Sequence, residues 1–315
     1  MDRRQGLARV LIATAAVLLC GAAAPTGLPL HEARWLASSD IAADLTHQPA
    51  ECRSRYSDRA LQRSADIGRI AFRAPLLLGG QAARAGLSCS SCHRDGRTNA
   101  HFHFPGISGD PGTADVTASL MSSHRGDDIF NPKPIPDLAG DPAKLKISRD
   151  PNKDDLRRFI HGLITQEFDG PEPPPAVLDG LAAYVRSLSP ANCRGPQSVA
   201  VRLEPMLDDV ATAVRLAEEE YAAGDRQSAR VMLAAARSQL GAIDERFELP
   251  GGDVDRTLLR RADSELRSIE LADPASPSMF HEWRAKWRAR ARQLRIAEPH
   301  SFFSEAVIRE ALAER

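Results

Sequence analysis

An all-α fold is predicted by three features of this 315-residue chain. Short runs between residues 55 and 190 repeat apolar side chains at helical spacing, separated by Pro/Gly-rich loops. Two much longer amphipathic runs follow residue 197, and no strand-rich pattern precedes the cysteine-rich stretch near residue 90. The expected division is a leader at 1–24, a lead-in segment at 25–54, a loop-rich helical domain at 55–196 and an α-helical C-terminal domain at 197–315. At 43% apolar and 26% charged residues the composition is that of a soluble globular protein. The 41 basic and 42 acidic residues leave a formal charge of -1, which gives no reason to expect nucleic acid as a partner.

The elements follow in chain order. "MDRRQGLAR" is basic, "VLIATAAVLLCGAAA" is an apolar run too short to span a bilayer, and Ala22 to Ala24 suit peptidase cleavage. Export to the periplasm is therefore expected, with lipid anchoring through Cys20 as the alternative. "DRALQRSADIGRIAF" opens the first domain. "NKDDLRRFIHGLITQEF" puts Leu156, Phe159, Ile160, Leu163 and Ile164 on one helical face, and "PPPAVLDGLAAYVRSL" does so for Val177, Leu181, Tyr184, Val185 and Leu188. Loops such as "FNPKPIPDLAGDP" need something inside the domain to pack around, and a large flat apolar cofactor would meet that need. Beyond "SPANCRGP", two helices turn at "AAGDR", a third opens after "PGG" and "PASPS" precedes a last one or two.

Five cysteines sort themselves. Cys20 belongs to the leader, and Cys89 and Cys92 share one motif. Cys52 and Cys193 remain, either as a disulfide in an oxidising compartment or as two buried thiols.

The motif is "GLSCSSCHRDGRTN". Thiols at i and i+3 can add to the two vinyl groups of a haem while the adjacent imidazole takes the iron, so Cys89, Cys92 and His93 point to one covalent haem c. A zinc site or a thiol redox pair are the alternatives, each lacking its usual companions in sequence. The other face of the iron is open to several candidates: His103, His161 and Met121, with His101, His124 and Met206 behind them. In "HFHF", His101 and His103 share one side and Phe102 and Phe104 the other. Arg84 and Arg97 are the expected partners of the haem propionates, and Glu167 is the candidate acid/base for peroxide chemistry.

The segment "DIGRIAFRAPLLLGGQAARAGLSCSSCHRDGRTN" resembles the first haem domain of the bacterial di-haem cytochrome c peroxidase family, which includes the methylamine-utilisation enzyme. "GTADVTASL" is similar to that family's threonine-rich segment and "LDGLAAYVRSL" to a closing cytochrome c helix, so the resemblance covers about 55–190. It implies a cytochrome c-like domain. There is no second CxxCH, the nearest residues for a distal histidine are His101 and His103, and the inter-haem tryptophan has no counterpart. A mono-haem relative, or one whose second haem lies on a partner chain, is what these departures imply.

The leading expectation is an exported mono-haem c-type cytochrome passing electrons to or from a redox partner protein. A peroxidase-like enzyme and a haem-stabilised scaffold are the alternatives. Trp283 and Trp287, i and i+4 among arginines in "FHEWRAKWRARARQLR", form a ridge that either docks a partner or packs internally.

Overall fold

The computed structural model describes residues 27–314 apart from 194, 196, 250, 273 and 274. The expected leader and Cys20 lie outside the described residues. The described chain is predominantly α-helical, with two small two-stranded sheets. No helix among the described residues is long and apolar enough to cross a membrane.

The first helical group is organised by two helices that cross closely. In α2 (Arg59–Phe72), Asp58 accepts a hydrogen bond from Leu61 N, and Ile67, Ile70 and Phe72 are buried. After α3 (Gly80–Arg84) and the single turn α4 (Cys89–Cys92) come a long loop region and α5 (Asp155–Gly162), which widens into a π-turn over Leu163–Glu167. The last helix of the group, α6 (Pro175–Ser187), starts on a proline and buries Val177, Leu181 and Tyr184 as its periodicity requires. It packs against α2 at a glycine contact, where a Cβ built on Gly68 would lie 1.9 Å from Gly180 O. No side chain fits there. The disulfide Cys52–Cys193 then ties the segment before α2 to the segment after α6.

The C-terminal helices are α7 (Leu203–Ala222), α8 (Arg226–Arg246), α9 (Asp253–Leu271), α10 (Pro277–Ala297) and α11 (Glu305–Ala313). The α7–α8 hairpin turns at Gly224, whose φ of 84° is left-handed, and Asp225 caps α8 through Ser228 N at 3.0 Å. Helix α8 packs on α7 and α9, and α10 closes against both α7 and α9. Trp283 and Trp287 stack at 5.3 Å and are buried, with Trp283 Nε1 donating to Ala262 O at 3.1 Å. The tryptophan ridge therefore faces inward.

The lead-in segment is a strap across the molecule. Leu28, Leu30, Leu36 and Leu45 pack with Phe302 and Ile308 from the far end of the chain, including α1 (Ile41–Thr46). Strand β1 (His47–Pro49) pairs antiparallel with a strand at Ser198–Ala200, while Thr113–Ala114 pairs with Lys133–Pro134. Numbered in chain order, these last three are β4, β2 and β3. Buried Arg246 fixes the strap by donating to Glu32 Oε1 at 2.5 Å, Leu45 O at 2.9 Å and Phe302 O at 2.8 Å.

Between strap, α2 and α7 lies a buried ion network. Glu51 accepts from Arg69 at 3.0 Å and from Tyr184 at 2.8 Å, with Arg73 at 3.4 Å and Arg53 at 3.6 Å. Arg69 also pairs with Asp209 of α7, and Arg73 with Asp95 in the loop after α4. Burial resists ionisation of Glu51, but Arg73, Arg69 and Arg53 outweigh it and hold its carboxyl down at about 2.

Two measurements check this account. Gly68→Ala forces α2 and α6 apart and is expected to cost about 2 kcal/mol or more, read as a lower thermal midpoint. Because the folded Glu51 carboxyl titrates at about 2 against an ordinary 4.5, the stability it contributes is complete above pH 4.5 and lost as pH falls towards 2. Denaturant unfolding of Glu51→Gln between pH 7 and 3 should show a loss of about 3 kcal/mol at neutral pH that narrows on acidification. A constant gap would contradict the network.

Candidate functional site

The site is built on one short turn. Ser88 and Ser91 cap α4 reciprocally, with Ser88 N donating to Ser91 Oγ at 3.0 Å. Asn99 holds the turn from the other side, its Nδ2 donating to Ser91 O and its N to Cys92 O, both at 2.9 Å. Asp95 follows with φ of 51°, a left-handed conformation that Asp tolerates, and its ion pair with Arg73 fixes the exit of the turn. Gly96 is required next, since a Cβ there would meet Leu188 Cδ1 at 2.5 Å.

This scaffold brings Cys89, Cys92 and His93 together. Both cysteines are free thiols packed against the main apolar cluster. His93 Nδ1 lies 3.0 Å from Pro136 O; because a carbonyl only accepts, Nδ1 carries the proton and Nε2 keeps its lone pair. Phe72 packs near the imidazole at 6.4 Å between ring centres, and Tyr184 meets Phe72 edge-on at 5.2 Å. The three side chains are partly reachable by water and packed against protein. Burial pushes the Cys89 thiol up to about 11 and, with Cys89 beside it, the Cys92 thiol up to about 12. Burial also drives His93 down to about 4 against the pull of Pro136 O and Asp137. At neutral pH the turn presents two uncharged sulfurs and one uncharged imidazole.

The other expected site residues are placed elsewhere. Arg97 is held by both oxygens of Asp137, at 2.9 and 2.8 Å, with Nη1 at 3.3 and 3.4 Å from the sulfurs of Cys52 and Cys193. Arg84 is exposed and bonds Gln81 at 3.2 Å. His161 pairs with Glu172 at 2.9 Å, and Met121 is absorbed in the apolar core. The backbone N of His103 donates to Trp35 O at 2.9 Å while Phe102 and Phe104 are buried. His101 stands 3.6 Å from Asp44, and His124 bonds Asp169 at 2.9 Å. Glu167 is buried against Arg125 at 2.7 Å, its carboxyl raised by desolvation despite that cation.

These placements correct the metal expectation. Among the described residues, no group of three or more His, Cys, Asp or Glu side chains comes together as a metal site. His103, His161 and Met121, the alternative candidates for the face opposite His93, are engaged as described above. The cysteine pair that the fold joins is Cys52–Cys193, as a disulfide. That removes the iron-ligand constellation on which one covalent haem c, electron transfer, the peroxide-reducing role of Glu167 and the haem-stabilised scaffold all rested.

Sequence inspection missed the ion network around Glu51. Its only trace is the i, i+4 pair Arg69 and Arg73 on a helix otherwise buried on that side. No protein-family model, curated protein or solved structure matches the chain.

The thiol values give a direct expectation. Reduced, folded protein with both thiols free should react with iodoacetamide at Cys89 and Cys92 far more slowly than an unfolded peptide at pH 8. The rate should keep rising with pH beyond the point where an ordinary thiol, at 9.0, has levelled off. Peptide mapping against time reads both sites.

Proposed function

We propose that this chain is an exported helical binding protein that holds a ligand covalently through Cys89 and Cys92, beside His93, and presents it to a partner protein. The observation that carries the reading is the contrast between two cysteine pairs in one molecule. Cys52 and Cys193 are oxidised to a disulfide, the state expected in the periplasm. Cys89 and Cys92, a single turn apart in the same chain, are unjoined. In an oxidising compartment such a pair persists when its sulfurs are occupied.

The chemistry of these side chains narrows the ligand class. Two uncharged sulfurs, a neutral imidazole and the Phe72 ring favour an apolar ligand carrying carbon–carbon double bonds, across each of which one S–H adds, sulfur to one carbon and hydrogen to the other, with nothing released. A thiol–disulfide exchange role is disfavoured, because exchange needs a lowered thiol pKa and both values here are raised. For residues 55–196 the proposal includes a cytochrome c-like arrangement. It is supported by the α2–α6 glycine crossing and by the resemblance to the first domain of the di-haem peroxidase family. The partner, a redox protein by that same resemblance, is proposed to dock outside the buried tryptophan pair.

Intact-mass analysis of the mature protein, purified from an exporting host and denatured without reductant, tests the reading. A mass above that of the polypeptide is expected, with Cys89 and Cys92 both refractory to alkylation and Cys89→Ser, Cys92→Ser protein at polypeptide mass. Two alkylatable thiols, or a Cys89–Cys92 disulfide opened by reductant, would overturn it.

A further inference from the structure

A cavity of about 220 Å³ lies between the two helical groups, against the α4 turn. Its walls are Ser88, Ser90 and Ser91 of that turn, the strap at Leu30–Leu36, and α8 at Ser238–Arg246. Cys89, Cys92 and His93 do not line it.

Its charges do not balance. Each carboxylate facing the cavity already has a partner that faces it too: Glu32 with Arg246, Asp95 with Arg73, and Asp209 with Arg69. Glu245 accepts from His31, at 2.6 Å. Two guanidiniums are left over. Arg94 is held by Asp44 O at 2.7 Å and reaches Glu32 only at 3.9 Å, while Arg202 has no ion pair or side-chain hydrogen bond among the described residues. The hydroxyls of Ser90 and Ser238 and the amide of Gln239 also face the cavity and make no hydrogen bond within the described residues. Surplus positive charge and several idle donors line one half-open cavity, which is the arrangement that receives an anion.

We propose that this cavity is a binding site for a small oxyanion, a carboxylate or a phosphate, gripped by Arg202 and Arg94 and bonded by Ser90 and Gln239. The anion bridges the C-terminal helices to the α4 turn. The site is independent of what occupies Cys89 and Cys92.

Calorimetric titration of the mature full-length protein with inorganic phosphate and with succinate, at fixed ionic strength, tests it. One saturable site is expected for at least one of the two, with Kd of about 1 mM or tighter and a matching rise in thermal midpoint. Arg202 is exposed, so Arg202→Gln should fold normally and weaken binding about tenfold. Ser90→Ala should weaken it less, and Arg157→Gln, at a surface arginine outside the cavity, should leave it unchanged. Absence of saturation with both anions up to about 10 mM, or Arg202→Gln protein that binds as tightly as the unaltered chain, would overturn the proposal.

Discussion

Everything near the candidate site depends on Arg73. Its guanidinium reaches Asp95 at the exit of the α4 turn and Glu51 in the segment before α2, and stands 4.0 Å from Asp209 of α7. Taking that many charges out of water is expensive, and the expense is unevenly distributed. Glu51 is surrounded by three arginines and is held at about 2, whereas Asp95 is raised, because desolvation outweighs its one close cation. The network therefore contributes as much to geometry as to stability. It permits one register between α2, α7 and the turn that carries both cysteines.

The strap and the disulfide act on the same region from outside. The strap closes over the C-terminal helices through Arg246, and β1 continues it into pairing with β4. The disulfide closes a loop of 141 residues, a length at which cross-linking removes several kcal/mol of unfolded-state entropy. Long Pro/Gly-rich connections between α4 and α5 can then hold position without regular structure. Their ends are fixed and their few anchors, such as Asp115 accepting from Thr117 and Asn131, are local.

Much of the helical content was legible because it is periodic. The apolar faces of α5 and α6, the hairpin at Gly224 and the helix starts of α9 and α10 follow from spacing and from Gly and Pro chemistry. What could not be read was pairing across long separations. Nothing local marks Glu51 as the partner of Arg69 and Arg73, or the strap as the cover of Phe302 and Ile308. The site shows the same divide. Cys89, Cys92 and His93 are adjacent in sequence and so were found together, but the residues assigned to the opposite side of a metal had to be chosen by type. In the fold His161 serves Glu172, Met121 fills the core and Glu167 is held by Arg125.

Arg97 shows how the two sulfur chemistries are mechanically connected. One guanidinium nitrogen lies against both disulfide sulfurs, while another edge grips the Asp137 carboxylate. Asp137 follows Pro136, whose carbonyl receives the His93 proton and thereby selects the tautomer that leaves Nε2 free. Opening the disulfide would disturb the contacts at Arg97 Nη1 but leave both bonds from Arg97 to Asp137, so the loop carrying Pro136 keeps its tether, helped by Thr98 Oγ1 donating to Ile135 O. Through Arg97 and Asp137 the disulfide and the carbonyl that fixes the His93 tautomer are joined by a short series of contacts, although they are far apart along the chain.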